Sequence, residues 1–267
     1  MDKMKNKKVV FFDLDGTLLT KDLSVAPSSI EAIHELKSCG VEPIIATGRT
    51  LMEIDYVLKA TGITSCVAMN GQYVLYNGEV IYENPLNKKE VTELHVDAKK
   101  NGHEMAFYNA DKITVTAEGS ILITKNYERV GGNYPPLDDR LYLDEPIHLM
   151  LVFCQPGEEA YYQQKFPNFQ FIRNSPYGCD IYPAGSSKAT GIERLISHLE
   201  LSLENTYAFG DGLNDLEMFD LVKYSVAMGN ALDIVKKSAS YITSSHNNNG
   251  IAEGLRVLGL LDKLISK

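Results

Sequence analysis

The chain has 267 residues, of which 44% are hydrophobic and 23% are charged, a composition typical of a soluble globular protein with enough apolar residues for a core. This composition excludes a disordered, collagen-like or coiled-coil chain as a whole, and the length favours one large domain or two modest ones. The formal net charge of −9 opposes binding to nucleic acid and to anionic membranes unless a local basic patch is present.

The first 84 residues alternate between apolar runs and amphipathic segments. Val9–Phe12 is a continuous apolar run, which predicts a central parallel strand covered on both faces. In chain order, the predicted elements are a strand at 9–12, a helix at 28–38 that ends before Gly40, a strand at 43–46, a helix carrying Leu51, Ile54 and Leu58, and a strand at 65–69. This alternation of strand and helix is typical of a doubly wound α/β sheet.

The regular alternation ends near residue 84 and resumes near residue 186. Between these points, helices and strands follow one another in the irregular order of an α+β domain. The predicted elements of this segment are helices at 89–100 and 158–166 and strands at 104–107, 113–116, 147–153, 169–172 and 178–182.

The last part of the chain returns to the α/β pattern. Its predicted elements are a helix at 188–199, a strand at 207–209, a helix at 216–222, and strands at 224–227 and 241–243. We therefore predict an α/β fold with a doubly wound, Rossmann-like parallel-sheet core formed by residues 1–84 and 186–267. An α+β cap domain of residues 85–185 is inserted into this core.

No segment of the sequence has the features of a membrane span or an export signal. The apolar runs are far shorter than the ~20 residues that cross a bilayer, and the lysine-rich start leads into only four apolar residues. The lysines of this start are Lys3, Lys5, Lys7 and Lys8. The four cysteines form no CxxC pair, which argues against a zinc site. We expect a cytoplasmic protein that binds neither nucleic acid nor membranes and needs no obligatory protein partner.

Polar, glycine-containing loops follow three separate strands of the predicted core. These loops are 13–17, 47–49 and 210–215. In an open α/β sheet, ligands bind beyond the carboxyl ends of the strands, so the loops converge if their strands are neighbours. Four carboxylates would then share a small space: Asp13, Asp15, Asp211 and Asp215. Because such groups repel one another, the sequence predicts a hard cation with oxygen ligands, and Mg²⁺ fits a site with few carboxylates and a phosphate oxygen.

Lys188 lies in the first turn of a predicted helix, where the helix dipole disfavours a cation by roughly 0.3–1 kcal/mol. A bound anion would compensate for this position. Thr47 and the backbone amide of Gly48 supply further donors from a second element. Cation, lysine, hydroxyl and amide groups around one point predict a phosphate-binding site.

The motifs that carry these groups resemble, in order, the four motifs of the haloacid dehalogenase-like superfamily. They are Asp13-Leu14-Asp15-Gly16-Thr17, Thr47-Gly48-Arg49, Lys188 and Gly210-Asp211-Gly212-Leu213-Asn214-Asp215. Residues 226–231 and 249–252 resemble its Cof-type sugar-phosphatase branch. The resemblance covers essentially the whole core, whereas the insertion matches mainly by position and length. One departure is Gln72, because that branch usually has Ala after the preceding Asn-Gly.

The position of the insertion agrees with the Cof-type branch. From Asp13 to Thr47 there are 34 positions, which one helix and its connections use up, whereas from Thr47 to Lys188 there are 141. The insertion therefore follows the second motif, where that branch has a cap over the site. The length excludes an insertion after the first motif, as in β-phosphoglucomutase-like members.

The resemblance implies a role for each motif residue. Asp13 is the nucleophile that forms an aspartyl-phosphate, and Asp15 protonates the leaving alcohol and then activates water. The implied Mg²⁺ ligands are Asp13, the backbone carbonyl of Asp15, and Asp211. The implied phosphate-binding groups are Lys188, Thr47, the amides of Leu14 and Gly48, and the Asn214 side chain. In supporting roles, Thr17 positions Asp15, Asp215 orients a metal-bound water, and Arg49 pairs with a carboxylate or contacts substrate.

Three functions remain open at this point. The first is a Mg²⁺-dependent phosphatase acting on a small phosphorylated metabolite, with a sugar phosphate ahead of nucleotide, flavin or pyridoxal phosphates. The second is a phosphotransferase or phosphomutase that uses the same intermediate, and the third is a non-catalytic regulator that binds a phosphometabolite. An intact Asp15 favours phosphomonoester chemistry, because family dehalogenases and phosphate-pumping ATPases lack an Asp at that place.

The inserted domain offers no assignable motif. Six of its residues are polar or aromatic candidates for facing the site: Arg129, Asn133, Tyr134, Arg173, Asp180 and Tyr182. The six histidines show no metal-ligand spacing, and we expect them at the surface or on helix faces. They are His34, His95, His103, His148, His198 and His246.

Overall fold

The computed structural model describes residues 6–261, apart from the side chain of Asn174. Lys3 and Lys5 lie outside these residues, and Lys7 forms an ion pair with Glu42 at 2.7 Å. The chain divides into two compact units. The first comprises Met1–Arg49, Glu53–Tyr82 and Ser187–Lys267, and the second, here called the inserted unit, comprises Thr50–Met52 and Glu83–Ser186. The main divisions follow Tyr82 and Ser186, whereas the limits expected from the sequence follow residues 84 and 185, and Thr50–Met52, expected in the core, belongs to the inserted unit.

Both units contain strands and helices. The strands are β1 (Val9–Phe12), β2 (Glu42–Ala46), β3 (Cys66–Ala68), β4 (Tyr73–Tyr76), β5 (Glu79–Glu83), β6 (Glu104–Tyr108), β7 (Ile113–Val115), β8 (Leu149–Phe153), β9 (Phe169–Ser175), β10 (Gly178–Pro183), β11 (Thr206–Gly210), β12 (Tyr224–Ala227) and β13 (Tyr241–Ile242). The helices are α1 (Pro27–Ser38), α2 (Leu51–Thr61), α3 (Lys88–Lys100), α4 (Ile121–Arg129), α5 (Leu141–Asp144), α6 (Glu159–Lys165), α7 (Lys188–His198), α8 (Leu216–Leu221), α9 (Asp233–Ser238) and α10 (Gly250–Val257). Within residues 6–261, none of the helices has the length and apolar character required to span a membrane.

The first unit is built on an eight-stranded sheet with the order β13-β12-β11-β1-β2-β3-β4-β5. The strands from β13 to β3 pair in parallel, and β4 is antiparallel to β3. This arrangement confirms the predicted doubly wound, parallel-sheet α/β core. Phe12 at the end of β1 lies in register with Phe209 of β11 and Ile45 of β2. The loops that follow these three strands therefore leave the same edge of the sheet.

The central strand β1 is apolar because it is covered on both faces. All four of its residues are at most 1% exposed, and burial of each such side chain stabilises the fold by about 1.5–3 kcal/mol. Helix α7 packs against β3 and β4, and it approaches the short 3₁₀ turn of residues 69–71. A Cβ on Gly71, where φ is +90°, would lie 2.2 Å from the Ser187 carbonyl oxygen. Glycine at this position therefore lets the start of α7 come close to the end of β3.

The inserted unit combines helices with a five-stranded sheet of order β7-β6-β8-β10-β9. All neighbouring strands of this sheet pair in antiparallel fashion, as is common in an α+β domain. Residues from α3, the sheet and α6 form its own buried apolar cluster, with Tyr162 and Phe107 among the largest side chains. The expected surface or helix-face position is wrong for His148, which is 1% exposed with its Nε2 atom 3.5 Å from Glu83 Oε2.

Most elements predicted with stated limits lie within three residues of the observed ones at either end. The hairpin of β4 and β5 was not predicted, nor were α4, α5, α9 and α10. The hairpin turn consists of Asn77 and Gly78, both with positive φ (51° and 81°). An Asn-Gly pair between apolar segments is a strong signal for such a turn, so the sequence did contain the information.

Candidate active site

The centre of the candidate site is a buried lysine between two carboxylates. Lys188, the first residue of α7, places its Nζ atom 2.5 Å from Asp13 Oδ1 and 2.7 Å from Asp215 Oδ1. The side chains of Lys188 and Asp215 are fully buried, and that of Asp13 is 7% exposed. These two carboxylates are the anions that compensate for a cation at the start of a helix.

Asp215 also organises the loop that follows β11. One of its oxygens, Oδ2, accepts hydrogen bonds from the backbone N–H groups of Asp211 and Gly212, each at 3.0 Å. The other oxygen, Oδ1, accepts from Lys188. Asp215 is thus fully engaged within the protein and fixes both the loop of Asp211 and the position of Lys188. The predicted role in orienting a metal-bound water is untested by these contacts.

The charges of this site do not balance within the protein. Carboxylate oxygens of Asp13, Asp211 and Asp215 lie within 4.8 Å of one another, and in the described chain Lys188 forms ion pairs with two of them, Asp13 and Asp215. Burial and the Asp215 charge raise the pKa of Asp13 well above its usual value, and the same causes raise the pKa of Asp211 to about 6. Burial opposes the charge of Lys188, but the two carboxylates outweigh it and raise the lysine pKa.

The donor set fits Mg²⁺. A second cation close to Asp13 and Asp211 would relieve the repulsion that raises their pKa values, and carboxylate oxygens are the ligands Mg²⁺ prefers. Asp13 accepts from Lys188 at Oδ1, and Asp211 accepts from the neutral donors Thr17 and, at 3.4 Å, Asn230. Asp215 is bonded more fully, because its oxygens accept from Lys188 and from two backbone N–H groups. The structure therefore brings together two of the predicted metal ligands, with the loop of Asp15 beside them.

Asp15 is more exposed than this buried centre and pairs with Arg49. The guanidinium donates from Nε to Asp15 Oδ2 at 2.8 Å and from Nη2 to Asp15 Oδ1 at 2.6 Å. The Arg49 side chain is only 11% exposed, whereas that of Asp15 is 54% exposed. Of the two predicted alternatives for Arg49, the structure shows the pairing with a carboxylate. The arrangement gives Asp15 a fixed orientation and leaves it accessible.

The second predicted motif lies on the adjoining strand end. Thr47 is 1% exposed, and its Oγ1 atom accepts a hydrogen bond from the Arg49 N–H at 3.1 Å. Gly48 lies against the side chain of Asn70, whose amide atoms are 3.2 Å from the place a Cβ of Gly48 would occupy. Met69 and Asn70 have positive φ, a conformation that is costly for residues other than glycine and that clusters at functional sites.

Thr17 has a different partner from the predicted one. Its Oγ1 atom donates to Asp211 Oδ1 at 3.1 Å, so the prediction that Thr17 positions Asp15 was wrong. The reason is the turn at Gly16, where φ is +83°. The turn directs the side chain of Thr17 towards β11, while that of Asp15 faces Arg49. Thr17 therefore holds a proposed metal ligand.

Leu14 and Asn214 are the two remaining residues that were predicted to bind phosphate. The Leu14 side chain is fully buried in the core, and its carbonyl accepts from the N–H groups of Thr17 and Leu19. Asn214 is exposed and lies in the 3₁₀ turn at residues 213–215. The geometry leaves the phosphate-binding roles of the Leu14 amide and the Asn214 side chain as predictions.

Three residues near the site received no role from the sequence. Asn70 lies beside Gly48, and the side chains of Asn230 and His246 both contact the Gly16 carbonyl. Asn70 follows the end of β3, so the rule that points to strand ends would have found it. His246 lies in a polar loop after the short edge strand β13 and carries no spacing signal.

The inserted unit engages several of its six candidate residues internally. Tyr134 donates its hydroxyl to the Ala117 carbonyl at 2.8 Å. Arg173 donates to both carboxylate oxygens of Glu159, at 2.9 and 2.6 Å, and lies 3.3 Å from the Cys154 sulfur. Arg129 and Asn133 are exposed, Asp180 is half-buried and Tyr182 is buried.

Cysteines that are distant in sequence meet at Arg173. Ligand atoms of Cys154, Cys179 and Glu159 lie within 4.8 Å of one another, although the sequence spacing of the cysteines gave no sign of it. The guanidinium of Arg173 supplies the positive charge of this cluster. This charge accounts for the grouping of Glu159 with the two cysteines, and the contacts give Arg173 a structural role.

We expect Glu159→Gln to destabilise the protein at neutral pH but progressively less in acid. The hydrogen bonds from Arg173 lower the pKa of Glu159 to about 2 from an ordinary 4.5. Because the folded pKa is depressed, the stabilisation is complete above the unfolded value and is lost as pH falls from about 4.5 towards 2. Since the pair is largely buried, the free energy of unfolding near neutral pH should fall by roughly 1–2 kcal/mol.

Urea unfolding of wild type and variant at several pH values measures this difference. Glu128→Gln, at an exposed position of α4, is the matched control and should shift stability little at any pH. A difference between Glu159→Gln and wild type that stays constant from neutral to acid pH would contradict the ion-pair argument.

Comparisons with known proteins agree with the motifs and the fold. The sequence model of the haloacid dehalogenase-like hydrolases matches residues 10–255. The protein YkrA of Bacillus subtilis (strain 168) is 36% identical over 256 residues, which cover 96% of this chain and 99% of YkrA.

Solved structures extend the similarity to three dimensions. A crystal structure of a protein from Geobacillus kaustophilus HTA426 is similar with a TM-score of 0.92 and 41% identity, covering 96% of this chain and all of that one. The HAD subclass IIB sugar phosphatase BT4131 has a TM-score of 0.83 and 29% identity, again with 96% and 100% covered. The resemblance read from the motifs, including that to the Cof-type branch, is thereby confirmed. The chain belongs to the haloacid dehalogenase-like hydrolase family.

Proposed function

We propose that this protein is a Mg²⁺-dependent phosphatase that hydrolyses a small phosphorylated metabolite through an aspartyl-phosphate on Asp13. The observation that carries the proposal is the position of Asp13. It lies at the carboxyl end of the central strand, bonded to Lys188 and close to Asp211, with Asp15 two residues further on. The chain is a phosphoric monoester hydrolase of its family.

Asp13 is the nucleophile of the proposed reaction. Its carboxylate oxygen attacks phosphorus, the P–O bond to the leaving alcohol breaks, and the phosphoryl group remains on Asp13 as an acyl-phosphate. Lys188 keeps its proton because its pKa is raised, so it offers a fixed positive charge to the phosphate oxygens as well as to Asp13. Thr47 and the Gly48 amide are the donors proposed for the other oxygens.

Asp15 is the proposed general acid and base. In the first step it gives a proton to the oxygen of the leaving alcohol, and in the second it takes one from the water that attacks the acyl-phosphate. Its exposure of about half leaves it free to reach both groups, while the two hydrogen bonds from Arg49 set its orientation.

The residues proposed to hold Mg²⁺ are Asp13, Asp211 and the backbone carbonyl of Asp15. When bound, the ion would neutralise charge on the phosphate and on the surrounding carboxylates. Thr17 and Asp215 serve this group indirectly, since one bonds the Asp211 carboxylate and the other bonds its backbone N–H.

A sugar phosphate is the substrate class we place first. Support comes from BT4131, described as a sugar phosphatase, which is similar over nearly the whole of both chains. Hydrolysis is favoured over transfer to a second alcohol because the family relationship is to phosphatases. Product analysis with an added acceptor alcohol tests this choice, and a phosphorylated acceptor in excess of free phosphate would identify a phosphotransferase instead.

The test of the proposed function is phosphate release from a panel of phosphorylated metabolites, with Mg²⁺ or with a chelator. We expect the wild type to release phosphate only with Mg²⁺ and to prefer sugar phosphates. Asp211→Asn should lower kcat/KM by about 10²-fold or more, because it removes a charge that holds the ion. Asp220→Asn, at an exposed position of α8, is the matched control. Equal release with chelator and with Mg²⁺ would contradict the proposal.

A further inference from the structure

Two side chains from distant loops meet at one carbonyl oxygen beside the site. The Gly16 carbonyl accepts a hydrogen bond from Asn230 Nδ2 at 2.7 Å and lies 3.0 Å from His246 Nδ1. Asn230 follows β12 and His246 follows β13, so both come from the far side of β11. Gly16 separates Asp15 from Thr17, in the loop that carries the nucleophile.

The orientation of both side chains is defined by their partners. The backbone N–H of His246 donates to Asn230 Oδ1 at 3.0 Å, so the Asn230 amide must direct its nitrogen towards the Gly16 carbonyl. A carbonyl only accepts, so His246 carries its hydrogen on Nδ1. The other ring nitrogen, Nε2, is buried and bonds no described atom. His246 therefore contacts Gly16 through Nδ1.

The same contacts bring the Gly16 peptide against a proposed metal ligand. Asn230 Nδ2 also lies 3.4 Å from Asp211 Oδ2, and a Cβ on Gly16 would lie 2.2 Å from that oxygen. The backbone of Gly16 thus packs directly on the Asp211 carboxylate. Glycine is the residue with the most backbone freedom, so this peptide needs external contacts to keep one orientation.

We infer that Asn230 and His246 are positioning residues that hold the Gly16 peptide against Asp211. This inference rests on the proposed function, in which Asp211 and the carbonyl of Asp15 hold Mg²⁺. The carbonyl held by the two side chains belongs to the peptide between Gly16 and Thr17. The Asp15 carbonyl belongs to the peptide before it, so the two contacts restrict the backbone at Gly16, next to the peptide that carries the Asp15 carbonyl. Partners that orient metal ligands in this way typically change metal affinity or activity by about 10–100-fold when they are lost.

The test uses two substitutions of His246 that differ in the position of their amide. In His246→Asn the amide nitrogen is as many bonds from Cβ as Nδ1 is, so the contact with Gly16 can be kept. In His246→Gln it corresponds to Nε2, so the contact is lost. Asn230→Asp replaces the donor by an oxygen facing both the Gly16 carbonyl and Asp211. His34→Gln, on the exposed face of α1, is the control.

Two readouts are measured for each variant: Mg²⁺ binding to the free enzyme by calorimetry, and kcat and KM for the best phosphate ester. We expect His246→Gln and Asn230→Asp to weaken Mg²⁺ binding and lower kcat by about 10–100-fold, with little change in KM. His246→Asn should stay within about threefold of wild type. Normal Mg²⁺ binding in His246→Gln and Asn230→Asp, or equal losses in both His246 variants, would overturn the inference.

The calorimetric readout separates this inference from the proposed function. Mg²⁺ binding to the free enzyme needs no substrate, so it tests the two positioning residues even if none of the esters is hydrolysed. Absence of hydrolysis by the wild type would contradict the proposed function. If the wild type binds Mg²⁺ but hydrolyses none of the esters, weaker Mg²⁺ binding by the His246→Gln variant would still support the role of His246.

Discussion

Asp13→Asn should abolish phosphate release without harming the fold. The amide of Asn cannot form an acyl-phosphate, so we expect kcat to fall by about 10⁴-fold or more. Stability should be unchanged or higher, because the substitution removes one of three close carboxylates and still leaves an oxygen to accept from Lys188. Activity and thermal stability are thus expected to change in opposite directions, as they do where a site is kept strained for function.

The measurement compares phosphate release and thermal unfolding for wild type and Asp13→Asn. Asp220→Asn makes the same chemical change at an exposed position and should alter neither property. If Asp13→Asn retained more than about a tenth of the activity, Asp13 would not be the nucleophile. A large fall in unfolding temperature would show instead that Asp13 is required for the fold.

The centre of this site was predictable because it depends on short-range patterns and on one rule of topology. The apolar run before Asp13 and the strand before Asp211 identify two buried parallel strands. The rule that ligands bind at the carboxyl ends of such strands then brings their following residues together. The structure has β1 and β11 adjacent, with Asp13 and Asp211 among three carboxylates within 4.8 Å.

The contacts that fix these groups were not predictable in the same way. Whether Thr17 bonds Asp15 or Asp211 depends on the direction of the chain after Gly16, which a motif does not encode. The contact of His246 with Gly16 joins residues 230 positions apart and depends on the packing of an edge strand. Spacing along the chain carries information about helices and strands, but not about which loops meet.

Lys188 illustrates how a poorly placed residue can be informative. A cation at the start of a helix is unfavourable, and from sequence the expected compensation is a bound anion. The structure supplies the carboxyl groups of Asp13 and Asp215 as partners within the protein, so the lysine has a role in the fold as well as the proposed role in phosphate binding. A single substitution of Lys188 would change both the stability and the phosphate release. It would not show whether activity is lost directly or because the fold is weakened.

Lys188→Met should therefore have two large effects. It removes the cation between two buried carboxylates, and such a loss costs about 3–5 kcal/mol in the free energy of unfolding. It also removes the positive charge proposed to contact the phosphate, so kcat/KM should fall by about 10²–10³-fold. Urea unfolding and phosphate release measure the two effects separately.

Combining Lys188→Met with Asp215→Asn separates the role in folding from the role in catalysis. The second substitution neutralises one of the two carboxylates left without a cationic partner, so part of the lost stability should return. Phosphate release should stay as low as in the single variant, because the charge proposed to face the phosphate is still missing. Asp215→Asn alone keeps the pair of Lys188 and Asp13 and measures the cost of disturbing the Asp211 loop. If activity returned together with stability in the double variant, Lys188 would have only a structural role and the phosphate would need another cation.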